Sequence, residues 1–323
     1  MKKILVTGSA GFIGNRVAQM LAESGHSVVG VDSINDAYDK SIKKHRLEAQ
    51  AAFEALSFEH GDICDIEFLS ELFRKHQFSA VLNLAARAGV RYSMENPSVY
   101  LQTNAQGTLN LLELMKTHGV EKMVLASTSS LYAGHALPFS EEMPVNAPIS
   151  PYAASKKAAE AMVYAYHHLY GIDTTILRYF TVYGPAGRPD MCIFRFIKWI
   201  DESTPLEILG DGQQSRDFTY VDDIARGTIK AMRPLGFETI NLGGGNEPVS
   251  LLKVIQILEE LLGKKAVLKH IAVNPADMRE TRAEVGKATR LLDWGAEVTL
   301  EEGLAASVDW YQANKDWVNG VQL

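Results

Sequence analysis

The chain has 323 residues, 46% hydrophobic and 22% charged, an ordinary globular make-up that is long enough for one large domain and a smaller one. A formal net charge of −7 argues against nucleic acid, which wants a basic face, yet one or two arginines in a cleft can still dominate locally and hold an anion. Cys64 and Cys192 are far apart and lack metal spacing. No disulfide framework and no metal site is therefore expected. No apolar run reaches ~18 residues, and the one in MKKILVTG is too short for a signal peptide, so a soluble, cytoplasmic chain without membrane contact is expected.

From the start of the chain, short apolar runs alternate with segments of helical period. KKILVTG predicts a strand, GFIGNRVAQMLAESG a helix stopped by glycine, and SVVGVD a second strand. LSFEHGDI, SAVLNLAA and KMVLAST read as further strands, separated by helical stretches such as GTLNLLELMKTHG. PYAASKKAAEAMVYAYHHLYG is a long helix, followed by the strand TTILRYF. This alternation predicts an α/β fold, a Rossmann-type doubly wound parallel sheet covered by helices on both faces. Beyond about Tyr179 the rhythm breaks into Pro/Gly-rich loops and helices such as SLLKVIQILEELLG. The expected division is 1–178, with about 218–244 joining it, as a dinucleotide-binding domain, and 179–217 with 245–323 as a smaller C-terminal α/β substrate-binding region.

TGSAGFIG lies between the first strand and first helix and spaces Gly8, Gly11 and Gly14 by three. Such a turn brings backbone close to a pyrophosphate and aims a helix N-terminus at it. Asp32 ends the second strand, where a carboxylate accepts from ribose hydroxyls and repels a 2′-phosphate. That selects NAD over NADP. Asp62 ends the third strand and can accept from the adenine amino group, or serve as a turn residue. Leu84, Ala85 and Ala86 are small or apolar where the cofactor passes the fourth strand, and Lys43 reaches ribose or phosphates unless it is a solvated helix lysine.

Ser150 and Pro151 read as N-cap and first residue of the long helix, which puts Tyr152 in its first turn and Lys156 one turn on, on the same face. A free phenol ionises near pH ~10, so Tyr152 becomes a base only where positive charge favours the phenolate. A neighbouring ammonium, the nicotinamide ring and the helix N-terminus all act that way. Thr128, Ser129 and Ser130 follow the fifth strand with no acid among them.

On the TGxxGxxG turn, the YxxxK pair and the hydroxyls after the fifth strand, the chain resembles the extended short-chain dehydrogenase/reductase superfamily. Within it, INDAYDKSIKKHRL, AARAGVRYSMENPSVY, STSSLY, RYFTVYGPAGRPDM and SRDFTYVDDIARG resemble the NAD-dependent sugar-nucleotide 4-epimerases, the UDP-glucuronate 4-epimerases most of all. The resemblance implies NAD that stays bound through each cycle. Tyr152 takes the proton of the sugar 4-hydroxyl, Thr128 shares it, and Lys156 holds the nicotinamide ribose. It adds Phe12, Ile13, Ile63, Ser127 and Tyr179 to the cofactor contacts, and Asn104 as a residue fixing backbone or ribose. Dehydratases of the superfamily carry acids after the catalytic threonine, and a carboxylate there repels an anion. Three neutral hydroxyls, with Thr181 where hexose epimerases show Asn, suit the carboxylate of a uronate.

Arg188 and Arg216 are the candidates for the diphosphate of a UDP-sugar, because a guanidinium pairs with phosphate through a planar fork. Each can instead form a surface ion pair, Arg216 with Asp217. Asp277 matches a ribose-binding acid, although Ala276 stands where relatives often have Gly. Arg91 reaches toward sugar or phosphates, and Phe194 or LEILGDG lines the uracil. The helical stretches around NPSVYLQTNAQGTLNLLELMKTHG and Tyr152 resemble the pair that build a four-helix dimer interface in relatives, so a homodimer is expected. A neutral UDP-hexose 4-epimerase is the alternative substrate reading.

Overall fold

The computed structural model describes residues 3–272 and 277–323. Seven strands form one sheet: β1 (Lys3–Thr7), β2 (Val28–Asp32), β3 (Leu56–His60), β4 (Phe78–Asn83), β5 (Lys122–Thr128), β6 (Asp173–Tyr179) and β7 (Phe237–Leu242). They lie in the order β7-β6-β5-β4-β1-β2-β3, and every pairing is parallel. This is the expected doubly wound α/β sheet.

Period-two alternation builds a core on each face. Ile4, Val6, Leu82, Val124 and Leu177 point to one side, against Val17, Leu21 and Ile224 from the covering helices. Their neighbours Leu5, Val81, Met123, Leu125 and Ile176 point to the other, against Leu72, Leu111, Met115 and Val163. The order reverses between β1 and β4, so the loops leaving those two strands diverge and open a crevice at their carboxyl ends. A third core, with Phe196, Ile197, Val254, Leu258 and Val308, gathers side chains mostly from the later part of the chain, with Ile42 among them.

The helix over NPSVYLQTNAQGTLNLLELMKTHG is less regular than its sequence suggests. Between Pro97–Tyr100 and Gly107–His118 the turn Leu101–Gln106 is π-helical. Such turns insert one extra residue and are common at functional sites. Here the turn contains Asn104, whose buried amide faces the crevice loops. Among the described residues, no helix is long and apolar enough to cross a membrane.

Candidate active site

The crevice between β1 and β4 gathers Gly8, Gly11, Asp32, Asp62, Ile63, Leu84, Ala85 and Ala86 around one cleft. The glycines are there because nothing larger fits. A Cβ on Gly8, whose φ is +71°, would lie 2.7 Å from the Ala85 amide nitrogen, and one on Gly14 would lie 2.1 Å from the Gly8 carbonyl oxygen. Gly11 brings no side chain to cap helix Phe12–Glu23, so the first N–H groups of that helix, those of Phe12 and Ile13 included, have no side-chain acceptor. A positive helix end over a side-chain-free floor fits a dinucleotide pyrophosphate. Asp32, 7% exposed, takes Ala10 N–H on Oδ2 at 3.2 Å and Ile34 N–H on Oδ1 at 2.8 Å, which fixes its carboxylate at the cleft wall.

Lys43 is not a solvated helix lysine. It is buried, and its Nζ donates to Asp32 Oδ1 at 3.4 Å and to Asn35 Oδ1 at 3.2 Å. The same helix, Lys40–Gln50, turns Arg46 and Gln50 the same way, a buried polar stripe at i, i+3 and i+7. Gln50 donates to the Ser9 carbonyl at 2.6 Å and so braces the glycine turn. Neither Arg46 nor Gln50 was expected from sequence, nor were Ser33, Asn35 and Thr103, which also line the cleft. The i, i+3, i+7 spacing was the available signal.

At the other end of the cleft, Ser150 caps helix Pro151–Tyr170 by accepting Ala153 N–H at 3.2 Å. Tyr152 thereby enters in the first turn, with its ring edge-on to Tyr100 at 6.1 Å. Burial pushes the Tyr152 phenol above its ordinary pKa, while hydrogen bonding with Thr128 and then the charge of Arg188 pull it back. Within the chain, the pull toward phenolate comes first from Thr128 and then from Arg188. The Lys156 ammonium is committed to the Ala126 carbonyl at 2.9 Å, and burial, opposed by Glu160, lowers its pKa to about 8.

The hydroxyl cluster sits on a tight turn. Thr128 Oγ1 accepts Ser130 N–H at 3.1 Å and starts the single 3₁₀ turn Ser129–Tyr132. Ser129 is buried beside it, and Ser130 is partly exposed. Thr181 opens a short strand, Thr181–Tyr183, paired with Phe218–Tyr220. Behind the cluster, Ser127 donates to Glu160 Oε1 at 2.6 Å. The two Glu160 oxygens also take the fork of Arg178, from Nε at 2.9 Å and Nη2 at 2.8 Å. Arg178 Nη1 donates to the Tyr132 phenol, which donates to Asn241 Oδ1, each at 2.8 Å. Ser127, Arg178 and Asn241 are paired neighbours on β5, β6 and β7, so behind Thr128 Glu160 ties the ends of β5 and β6 together, and Arg178 extends the link through Tyr132 to β7.

Other predicted residues are spent on the protein itself. Asn104 accepts Arg87 N–H at 2.9 Å and donates to the Arg87 carbonyl and to Ser155 Oγ, so its amide fixes backbone. The Tyr179 phenol meets Thr228 at 2.8 Å in the core. Asn83, the last residue of β4 and not among the predicted ones, stitches β1 to the helix behind it, accepting from Thr7 at 2.7 Å and donating to Thr108 at 3.0 Å. Phe194 is not a base-lining residue. It is packed in the third core against Tyr311.

A second cleft is lined by Leu209, Asp211, Gln214, Arg216, Asp277 and their neighbours. Arg216 donates to the carbonyls of Ser215 and Arg279 and does not pair with Asp217, whose carboxylate receives the N–H groups of Gly245 and Ala283. Arg91 pairs with Asp277 at 2.7 Å. Arg188 is forked onto Asp190, with Nε to Oδ1 at 3.0 Å and Nη2 to Oδ2 at 2.5 Å. Ala276 lies outside the described residues.

Known proteins share this fold. A UDP-glucuronate 4-epimerase of Thermodesulfobacterium geofontis is 54% identical over 319 residues, covering 99% of both chains. The crystal structure of UDP-glucuronic acid 4-epimerase from Bacillus cereus, in complex with UDP-glucuronic acid and NAD, superposes with a TM-score of 0.91 at 38% identity, covering 97% of this chain and 99% of that one. UDP-glucose 4-epimerase of Thermotoga maritima, solved with UDP-glucose, superposes with a TM-score of 0.89 at 32% identity, covering 97% of this chain and 99% of that one. Residues 4–243, which run from β1 through the glycine turn and the Tyr152 helix to the end of β7, match the NAD dependent epimerase/dehydratase family, and the chain belongs to that family.

Proposed function

We propose that this protein interconverts UDP-glucuronate and UDP-galacturonate by transient oxidation at carbon 4, with NAD retained between cycles. One observation carries the uronate reading: β5 ends on Thr128 and the turn after it begins with Ser129 and Ser130, three neutral hydroxyls with no acid among them, beside Tyr152. The relative that shares 54% of its residues is a UDP-glucuronate 4-epimerase.

NAD, when bound, supplies a hydride acceptor that returns what it takes. The glycine turn and the first N–H groups of helix Phe12–Glu23 receive its phosphates, Asp32 its adenosine ribose and Asp62 its adenine. Lys156 holds the nicotinamide ribose. Tyr152 accepts the proton of the 4-hydroxyl, assisted by Thr128, and later returns it to the 4-oxygen, once the keto sugar has turned its opposite face toward the cofactor. Arg188 and Arg216 face the UDP diphosphate, and Asp277 the uridine ribose. The cofactor belongs to 1–178 with about 218–244, and the sugar nucleotide to 179–217 with 245–323.

A uronate oxidised at carbon 4 is a β-keto acid, which loses carbon dioxide when its carboxylate turns perpendicular to the keto group. Neutral donors from Thr128, Ser129, Ser130 and Thr181 hold the carboxylate out of that alignment. Replacing Ser130 by Glu, or Thr181 by Asn, should therefore release UDP-pentose, and chromatography showing no more pentose than the parent forms would count against this grip. Substrate choice itself is tested by offering UDP-glucuronate and UDP-glucose at equal concentration. The uronate should be consumed first, and preferential epimerisation of the neutral hexose would overturn the assignment.

We place the protein in the cytoplasm as a homodimer. Leu101, Tyr164, Leu169 and Tyr170 are exposed apolar side chains on the helical segments from Pro97 to His118 and from Pro151 to Tyr170, a surface that a second copy would cover. Sedimentation at the mass of one chain would refute the dimer.

A further inference from the structure

Arg46 is 1% exposed, and among the described residues no carboxylate forms an ion pair with it. Its guanidinium is shared among neutral acceptors on three segments. Nη1 donates to the Ala10 carbonyl in the glycine turn at 3.1 Å and to the Tyr38 phenol at 2.8 Å. Nε and Nη2 both grip the Ala186 carbonyl, at 3.1 and 2.7 Å, and Nη2 also reaches Gly187 at 3.2 Å. Ala186 has a φ of +51°, a left-handed backbone that costs a non-glycine residue free energy and persists only where its surroundings hold it. The next residue after Gly187 is Arg188, whose guanidinium lies over the Tyr38 ring at 5.4 Å, while Arg46 lies over the same ring at 5.6 Å. A buried cation without a counter-charge is expensive, so one is kept where its geometry does something a neutral group cannot. Only a planar five-donor fork spans two loops and a phenol at once, and an ammonium does not.

We propose that Arg46 is a positioning residue: it locks the glycine turn of the dinucleotide cleft to the loop that carries Arg188, and so sets the register between the cofactor end and the sugar-nucleotide end of the site. This rests on the sugar-nucleotide reading above, in which Arg188 faces substrate. Arg46 acts through the backbone of Ala10, Ala186 and Gly187.

The test is a double-mutant cycle on the NAD-loaded protein with Arg46→Lys, Arg188→Met and the two combined. Alone, Arg46→Lys should raise KM for UDP-glucuronate about tenfold, with kcat and NAD content within about twofold of the parent. In the Arg188→Met background the same change should move KM by less than about twofold, because the side chain it positions is gone. Equal losses in both backgrounds, or a loss that tracks NAD content or melting temperature alone, would overturn the proposal. Should Arg46→Lys fail to fold, Tyr38→Phe, which removes one acceptor of the Arg46 fork, enters the same cycle with an expected rise in KM of about threefold. Wild-type protein that ignored UDP-glucuronate and turned over UDP-glucose would sink the uronate reading alone, and the cycle would then be read on UDP-glucose.

Discussion

Tyr152→Phe should lower kcat by about a hundred- to ten-thousand-fold, the span that a positioned general base contributes, while UDP-glucuronate still binds and NAD content is unchanged. The change removes one oxygen. The ring that remains still meets Tyr100 edge-on at 6.1 Å, so the packing around the first turn of the helix survives. What is lost is the phenol that hydrogen-bonds with Thr128 within the field of Arg188. Burial makes that phenol a reluctant acid, so the groups that oppose burial decide whether it works near neutral pH. Thr128→Val should act in the same direction with a smaller loss, since it removes one hydrogen-bond partner and leaves the base. Steady-state kinetics together with calorimetric binding check both. A Tyr152→Phe protein that kept more than about a tenth of parental kcat would remove Tyr152 from the chemistry.

The largest loss of stability is expected at Glu160. Arg178 and Glu160 are each 4% exposed, and Glu160→Gln leaves the guanidinium buried without its counter-charge. Breaking a buried pair from one side costs about 3–5 kcal/mol, because the remaining ion keeps its desolvation penalty. Denaturant unfolding should show that loss, and the double replacement of Glu160 and Arg178 by Met should recover much of it. A Glu160→Gln protein within about 1 kcal/mol of the parent would contradict the assignment. A pH effect accompanies it. The Lys156 pKa is held down to about 8 by burial and supported by Glu160, so the penalty on its charged form applies below that pH and is relieved above it. Without the Glu160 charge the ammonium is lost at lower pH, and the alkaline limb of the kcat profile should move downward. An unmoved limb would mean that Lys156 does not set it.

The parts of the molecule legible in the sequence are those made by short-range rules. Gly8, Gly11 and Gly14 announce a backbone that nothing larger could enter, and the strand runs with intervening helices fix a parallel sheet. Ser150 and Pro151 place Tyr152 because a cap and a first-turn proline are local signals. What escaped the sequence depends on partners far along the chain. Arg46 binds the carbonyl of Ala186, 140 residues away, and a main-chain acceptor has no residue type to betray it. On the helix Lys40–Gln50 the same arginine reads as one more solvated charge. Arg178 and Glu160 are only 18 residues apart, yet they meet across the gap between a strand end and a helix. Phe194 failed for the opposite reason: an aromatic near a nucleotide loop suggests base stacking, but its helix turns that face into the third core.

The central claim is that a retained NAD takes a hydride from carbon 4 of the sugar and gives the same hydride back. It is tested by incubating purified protein with UDP-glucuronate in D₂O, without added NAD, and reading the product by proton NMR. The account predicts UDP-galacturonate that still carries protium at carbon 4. Deuterium at that carbon, or no turnover by protein whose bound dinucleotide has been verified, would contradict it.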